Sequence, residues 1–100
     1  MEIKIQNNPE NVVVTMNGSL DTLAAEQAEP TVKELESMAS KPMVIDCCAL
    51  DYIASSGLRV LLRLRKASAA KGQQVTLTDV NGNIMEVLKV THFDKMFIIK

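Results

Sequence analysis

The sequence predicts an α/β domain built on one mixed sheet, and three observations point to it. Short apolar or alternating runs at residues 3–5, 12–16, 43–48, 74–78 and 96–99 are separated by stretches with helical periodicity. The first two runs are joined by the turn-forming segment Asn7-Asn8-Pro9-Glu10-Asn11, so the sheet opens with a hairpin and is not purely parallel. The chain has 100 residues, enough for one core. The expectation is a single domain over 1–100, with four to five strands and about three to four helices packed mainly on one face.

Taken in order, Ile3 and Ile5 alternate with Glu2, Lys4 and Gln6, as in a strand with one buried face. Val12-Val13-Val14-Thr15-Met16 makes the second strand, which Asn17-Gly18 interrupts. Ser19-Leu20-Asp21-Thr22 then leads into an alanine-rich helix, with Asp21 placed to cap it. Ala28, Val32, Leu35 and Ala39 follow the 3.6-residue period, and Glu26, Glu29, Lys33, Glu34 and Glu36 form the polar side. Pro30 is tolerated only in a first turn, so the regular part of this helix is expected to begin near Glu29. Lys41-Pro42 ends it. Met43-Val44-Ile45-Asp46-Cys47-Cys48 is apolar enough for a central strand buried on both faces.

The run from Leu58 to Lys71 is uninterrupted helix former, closed by Gly72. Gln74 to Thr78 alternates as a strand. Asn81-Gly82 opens a short helix carrying Ile84, Val87 and Leu88, which His92 closes in a left-handed conformation, and Met96-Phe97-Ile98-Ile99 is the last strand.

Composition narrows the functions open to such a domain. Eleven basic against twelve acidic residues give a net charge of −1, which lacks the electrostatic footprint of a nucleic-acid or membrane-surface binder. His92 is the single histidine, and Cys47 and Cys48 are neighbours, so separated His/Cys ligands for zinc cannot be assembled. Adjacent strand residues point to opposite faces, so the cysteines are expected as buried or half-buried thiols and not as a disulfide, which fits a reducing compartment. Neither a secretory leader nor a run of ~20 apolar residues is present, and the expected location is the cytoplasm.

One joint concentrates the unusual residues. The central strand passes through Ala49-Leu50-Asp51-Tyr52-Ile53 to Ala54-Ser55-Ser56-Gly57 at the start of the long helix. A helix N-terminus carries unpaired N–H groups and partial positive charge, so a serine there serves as a cap or as the seat of a phosphate. A nucleophile elbow needs glycine two residues before and two after its serine; here those positions are Ala54 and Leu58. The Gly-x4-Gly-Lys-Ser/Thr phosphate loop is absent as well.

The run Val44 to Leu62, with Asp51-Tyr52-Ile53-Ala54-Ser55-Ser56-Gly57-Leu58-Arg59 at its centre, resembles the signature of the STAS domain, in particular of bacterial anti-sigma factor antagonists. Gly18-Ser19-Leu20-Asp21-Thr22 is similar to the Gly-x-Leu-Asp segment of that family, and Val87 to Phe97 to its last helix and strand. The sequence departs from it at Ala54, where many members carry Asp or Ser, and at His92, a frequent glycine.

The resemblance implies a regulator and no enzyme, with no catalytic residue, metal or cofactor of its own. Its implied partners are an anti-sigma factor that is an ATP-dependent serine/threonine kinase, and a serine phosphatase. The implied phosphorylation site is Ser56, the serine immediately before Gly57, and Asp21, Thr22, Ser55, Gly57 and Leu58 surround it as partner-binding residues. A STAS docking subunit of a lipid-transport or stressosome-like assembly is the alternative that the same resemblance allows.

Helical geometry adds Arg59 and Arg63 to the expected partner surface. At ~100° per residue, Arg59, Arg63 and Lys66 share one side of the long helix, starting beside Ser56. Such a stripe is either a solvated face or a docking surface for an acidic partner.

Overall fold

A computed structural model describes residues 1–100. Strands β1 (Glu2–Asn7) and β2 (Val12–Leu20) form the expected hairpin. Helices α1 (Thr22–Gln27) and α2 (Glu29–Ser37) lead to β3 (Met43–Ile53), and α3 (Ser55–Ala69) leads to β4 (Val75–Thr78). Helix α4 (Gly82–Val90) and a 3-10 turn (Phe93–Lys95) precede β5 (Ile98–Ile99). The five strands lie in the order β1-β2-β3-β4-β5. Only β1 is antiparallel to its neighbour; β2 through β5 are parallel, as strands joined through helices can be.

The register explains why the helices collect on one side. Ile5, Val14, Ile45, Leu77 and Ile99 align across the five strands, and Val12, Met43 and Val75 align in a second row. Residues directly opposite one another share a face, and the β2, β3 and β4 members of both rows are buried. Ala24, Val32, Leu35, Leu61, Leu64, Ile84 and Leu88 complete the same core from the four helices. The intervening rows, Thr15-Asp46-Thr78 and Val13-Val44-Thr76, remain half-buried on the face without helices.

That arrangement corrects the expectation of a central strand buried on both sides. In β3, Met43, Ile45 and Cys47 are buried and Val44 and Asp46 half-buried, whereas Cys48, expected at least half-buried, is exposed. Four helices on one face leave nothing to cover the other.

The alanine-rich segment is two helices. Ala28 ends α1 and precedes α2, with Pro30 in the first turn of the second. Proline has no N–H to continue the ladder and clashes with the preceding turn, so a new helix starts at Glu29, where the regular part was expected. The 3.6-residue period survives the break, since Ala28, Val32, Leu35 and Ala39 are all buried. The chain end also differs from expectation: the segment read as a strand from Met96 pairs only at Ile98–Ile99. His92 does take the left-handed conformation, with φ 62°.

Candidate functional site

The site forms where β2 and β3 end together. Their pairing slips between Thr15 and Asn17 and again between Gly18 and Ser19, irregularities that bend and twist a strand pair. Ser19 Oγ donates to Asp51 Oδ1 at 2.7 Å, tying the two ends. Ala54 N then donates to Leu20 O at 3.0 Å, which holds the entry to α3 against the exit of β2.

Gly57 makes this closeness feasible. A Cβ there would lie 2.7 Å from Leu20 O and 2.8 Å from side-chain carbons of both Ile53 and Leu20. The glycine serves close approach of helix to strand, and it is buried there. Leu58 is also buried, and its N–H makes the first α3 bond, to Ala54 O at 3.0 Å.

The cap differs from the one expected. Ala54, in extended conformation, is the N-cap, and no side chain caps α3. Ser55 is exposed and Ser56 half-buried, both already inside the helix. Ser56 Oγ instead reaches Thr22 Oγ1 at 3.3 Å, long for a hydroxyl pair and so a weak hold on the serine. Asp21, in contrast, caps α1 as expected: its Oδ1 accepts from Ala24 N at 2.8 Å.

A groove of about 530 Å³ runs beside Ser56, with Thr22, Glu26 and Glu29 on one wall and Ser56, Arg59 and Arg63 on the other. The expected basic stripe is not free along its length. Arg63 pairs with Glu29 at 2.6 Å and with Glu36 at 2.9 Å, clamping α3 to α2. Hydrogen bonding to the Arg63 guanidinium holds the Glu29 carboxyl below its ordinary value, and the same bond raises the already high pKa of Arg63. Arg59, one turn after Ser56, is exposed and makes no ion pair.

The expected residues therefore divide by role. Asp21, Thr22, Ser55, Ser56 and Arg59 come together at the surface, Gly57 and Leu58 pack beneath them, and Arg63 braces two helices. Two exposed apolar side chains at this end escaped the sequence analysis: Leu23, 62% exposed, next to Thr22, and Tyr52, 54% exposed, near the end of β3. Strand and helix periodicity do not mark them, because each sits where an element begins or ends and its facing is set by the neighbouring loops.

Residues 2–100 match the family model for the STAS domain. A candidate anti-sigma factor antagonist of Bordetella bronchiseptica, BtrV, is 27% identical over 86 residues, covering 86% of this chain and 74% of the relative. The crystal structure of a candidate anti-sigma factor antagonist from Thermotoga maritima superposes with a TM-score of 0.86 at 20% identity, covering 97% of this chain and 84% of that one. The phosphorylated form of the Bacillus cell fate determinant SpoIIAA gives 0.74 at 17% identity, covering 99% and 91%. At these identities the structural likenesses establish the fold.

Proposed function

The chain belongs to the STAS domain family, and from that premise we propose that it is an anti-sigma factor antagonist switched by phosphorylation of Ser56. Unphosphorylated, it captures an anti-sigma factor through the surface around the α3 N-terminus. That anti-sigma factor is a serine kinase, which transfers the γ-phosphoryl group of ATP to Ser56 Oγ with release of ADP and the hydroxyl proton. The phosphorylated chain dissociates, and a serine phosphatase resets it. All bond-making chemistry belongs to the partners, and the switch operates in the compartment where sigma factors act.

The observation that carries this proposal is the setting of Ser56. Its hydroxyl stands at an α3 N-terminus with no side-chain cap, held only by the long contact to Thr22. A phosphate there adds about −1.5 to −2 charge. The helix end and the unpaired Arg59, three residues on, can accommodate that charge within this chain. A partner packed over Leu23 and Tyr52 faces a new, strongly hydrated anion at the rim of an apolar contact, where desolvating it is costly. Fold and internal packing survive while affinity falls.

The test is to incubate the protein with a candidate serine-kinase anti-sigma factor and ATP, map any phosphate by mass spectrometry, and measure complex formation. Phosphate is expected on Ser56 alone. Ser56→Ala should retain capture and resist release by ATP, whereas Ser56→Asp should weaken capture at least about tenfold. Phosphate elsewhere, or equal capture by Ser56→Asp and wild type, overturns the switch.

A further inference from the structure

The sheet has two edge strands, and β1 is the longer of them. β5 is two residues, Ile98–Ile99, and after it Lys100 keeps to the β4 ladder, its N–H donating to Leu77 O and its carbonyl accepting from Asp79 N. β1 presents six residues, and no strand lies beyond it. An open edge of this kind is a template for strand addition.

The side chains of β1 specify which strand fits. Ile3 and Ile5 lie opposite Met16 and Val14, on the helix-covered face, and pack against the core. Met1 lies beside Gly18 and, with Ile3, Ala24 and Ala28, lines a small groove of about 130 Å³ under the α1–α2 joint. Glu2 and Lys4 alternate with them, opposite Asn17 and Thr15, and are exposed on the face without helices.

We propose that β1 pairs antiparallel with β1 of a second copy of this chain, with Ile3 on the two-fold axis. In that register Glu2 lies opposite Lys4 of the second copy, Lys4 opposite its Glu2, and Met1 opposite its Ile5. Every apolar residue then falls on the helix-covered face of a continuous sheet, and both ion pairs fall on the open face. A two-fold axis normal to the sheet places a residue opposite its own copy, so few registers compete. Centring on Glu2 or Lys4 sets like charges face to face, which disfavours pairing, and centring on Ile5 leaves Lys4 opposite Gln6. The Ile3 register alone joins Glu2 to Lys4. The groove beside Ser56 is lined from α1, α2 and α3 and none of β1, so each copy keeps that site open.

Sedimentation velocity at low salt, with protein from about 1 μM to about 1 mM, tests the pairing. A concentration-dependent dimer is expected. Glu2→Lys and Lys4→Glu should each weaken it about tenfold or more, and the double variant E2K/K4E should restore it. A monomer at every concentration overturns the proposal. So does a dimer that the single reversals leave intact, or one that the double reversal fails to restore.

Discussion

The α-carbon of Gly57 packs against the carbonyl of Leu20 so closely that a Cβ would come within 2.7 Å of that oxygen. The same carbonyl accepts from Ala54 N at 3.0 Å. Two backbone segments distant in sequence thus meet at one oxygen, immediately beside the proposed phosphorylation site.

Gly57→Ala should therefore destabilise the domain despite its better helix propensity. Alanine gains about 1 kcal/mol in a helix interior, but the methyl meets a backbone oxygen and two packed side chains, and overpacking of this kind costs about 1–3 kcal/mol or more. Urea denaturation should show a net loss, and the complex with the anti-sigma factor should weaken as the α3 entry shifts. Unchanged stability would contradict the tight joint.

Asp21→Ala removes the side-chain acceptor for Ala24 N and should cost about 1 kcal/mol, the usual value of an N-cap. Asp21→Asn keeps an acceptor in place and should recover most of that stability. If capture of the anti-sigma factor falls with both variants, Asp21 also touches the partner; if only the alanine variant is affected, the cap is its whole role.

The brace between Glu29 and Arg63 makes part of the acid stability depend on one carboxylate. The folded pKa of Glu29 is depressed from its ordinary 4.5, mainly by hydrogen bonding to Arg63. Its contribution is thus fully present above about pH 4.5 and is lost as pH falls through the lower folded value. Both groups are solvent-accessible, so the effect is small and screened by salt. Glu29→Gln should flatten the acid limb of the stability profile at low salt, and raising the salt to about 1 M should erase the difference from wild type. A difference that persists in salt would point to packing as its source.

The two adjacent thiols should behave oppositely. Burial pushes Cys47 up to about 12, whereas Cys48 is exposed on the open sheet face. The thiolate is the nucleophile, so iodoacetamide at about pH 8 should label Cys48 in the native protein and Cys47 only after denaturation. Peptide mapping reads both sites. Equal labelling under native conditions would show that β3 opens readily.

Much of this architecture follows from local pattern. The hairpin, the cap at Asp21, the Pro30 break near Glu29, the long helix and the left-handed His92 depend on residues close together in sequence, whose periods, caps and proline sterics act within a turn or two. The Ser55-Ser56-Gly57 joint was likewise visible as an anomaly in the pattern. Its internal roles were not: Gly57 responds to Leu20, and the cap falls to Ala54, which has no polar side chain to advertise it.

The rest was decided by contacts that no local pattern encodes. The Arg63 clamp joins residues 34 and 27 positions apart, so helical geometry alone showed a basic stripe where the folded chain leaves Arg59 unpaired. Strand order, the one-sided helix layer and the open edge at β1 depend on how the elements pack. By itself, the sequence determined which segments become strand or helix and marked Ser56 as exceptional, because those outcomes follow from local periodicity and motif. Only the tertiary structure decided which residues around that serine face solvent and which brace it, because burial and ion pairing are properties of neighbours brought together by the fold.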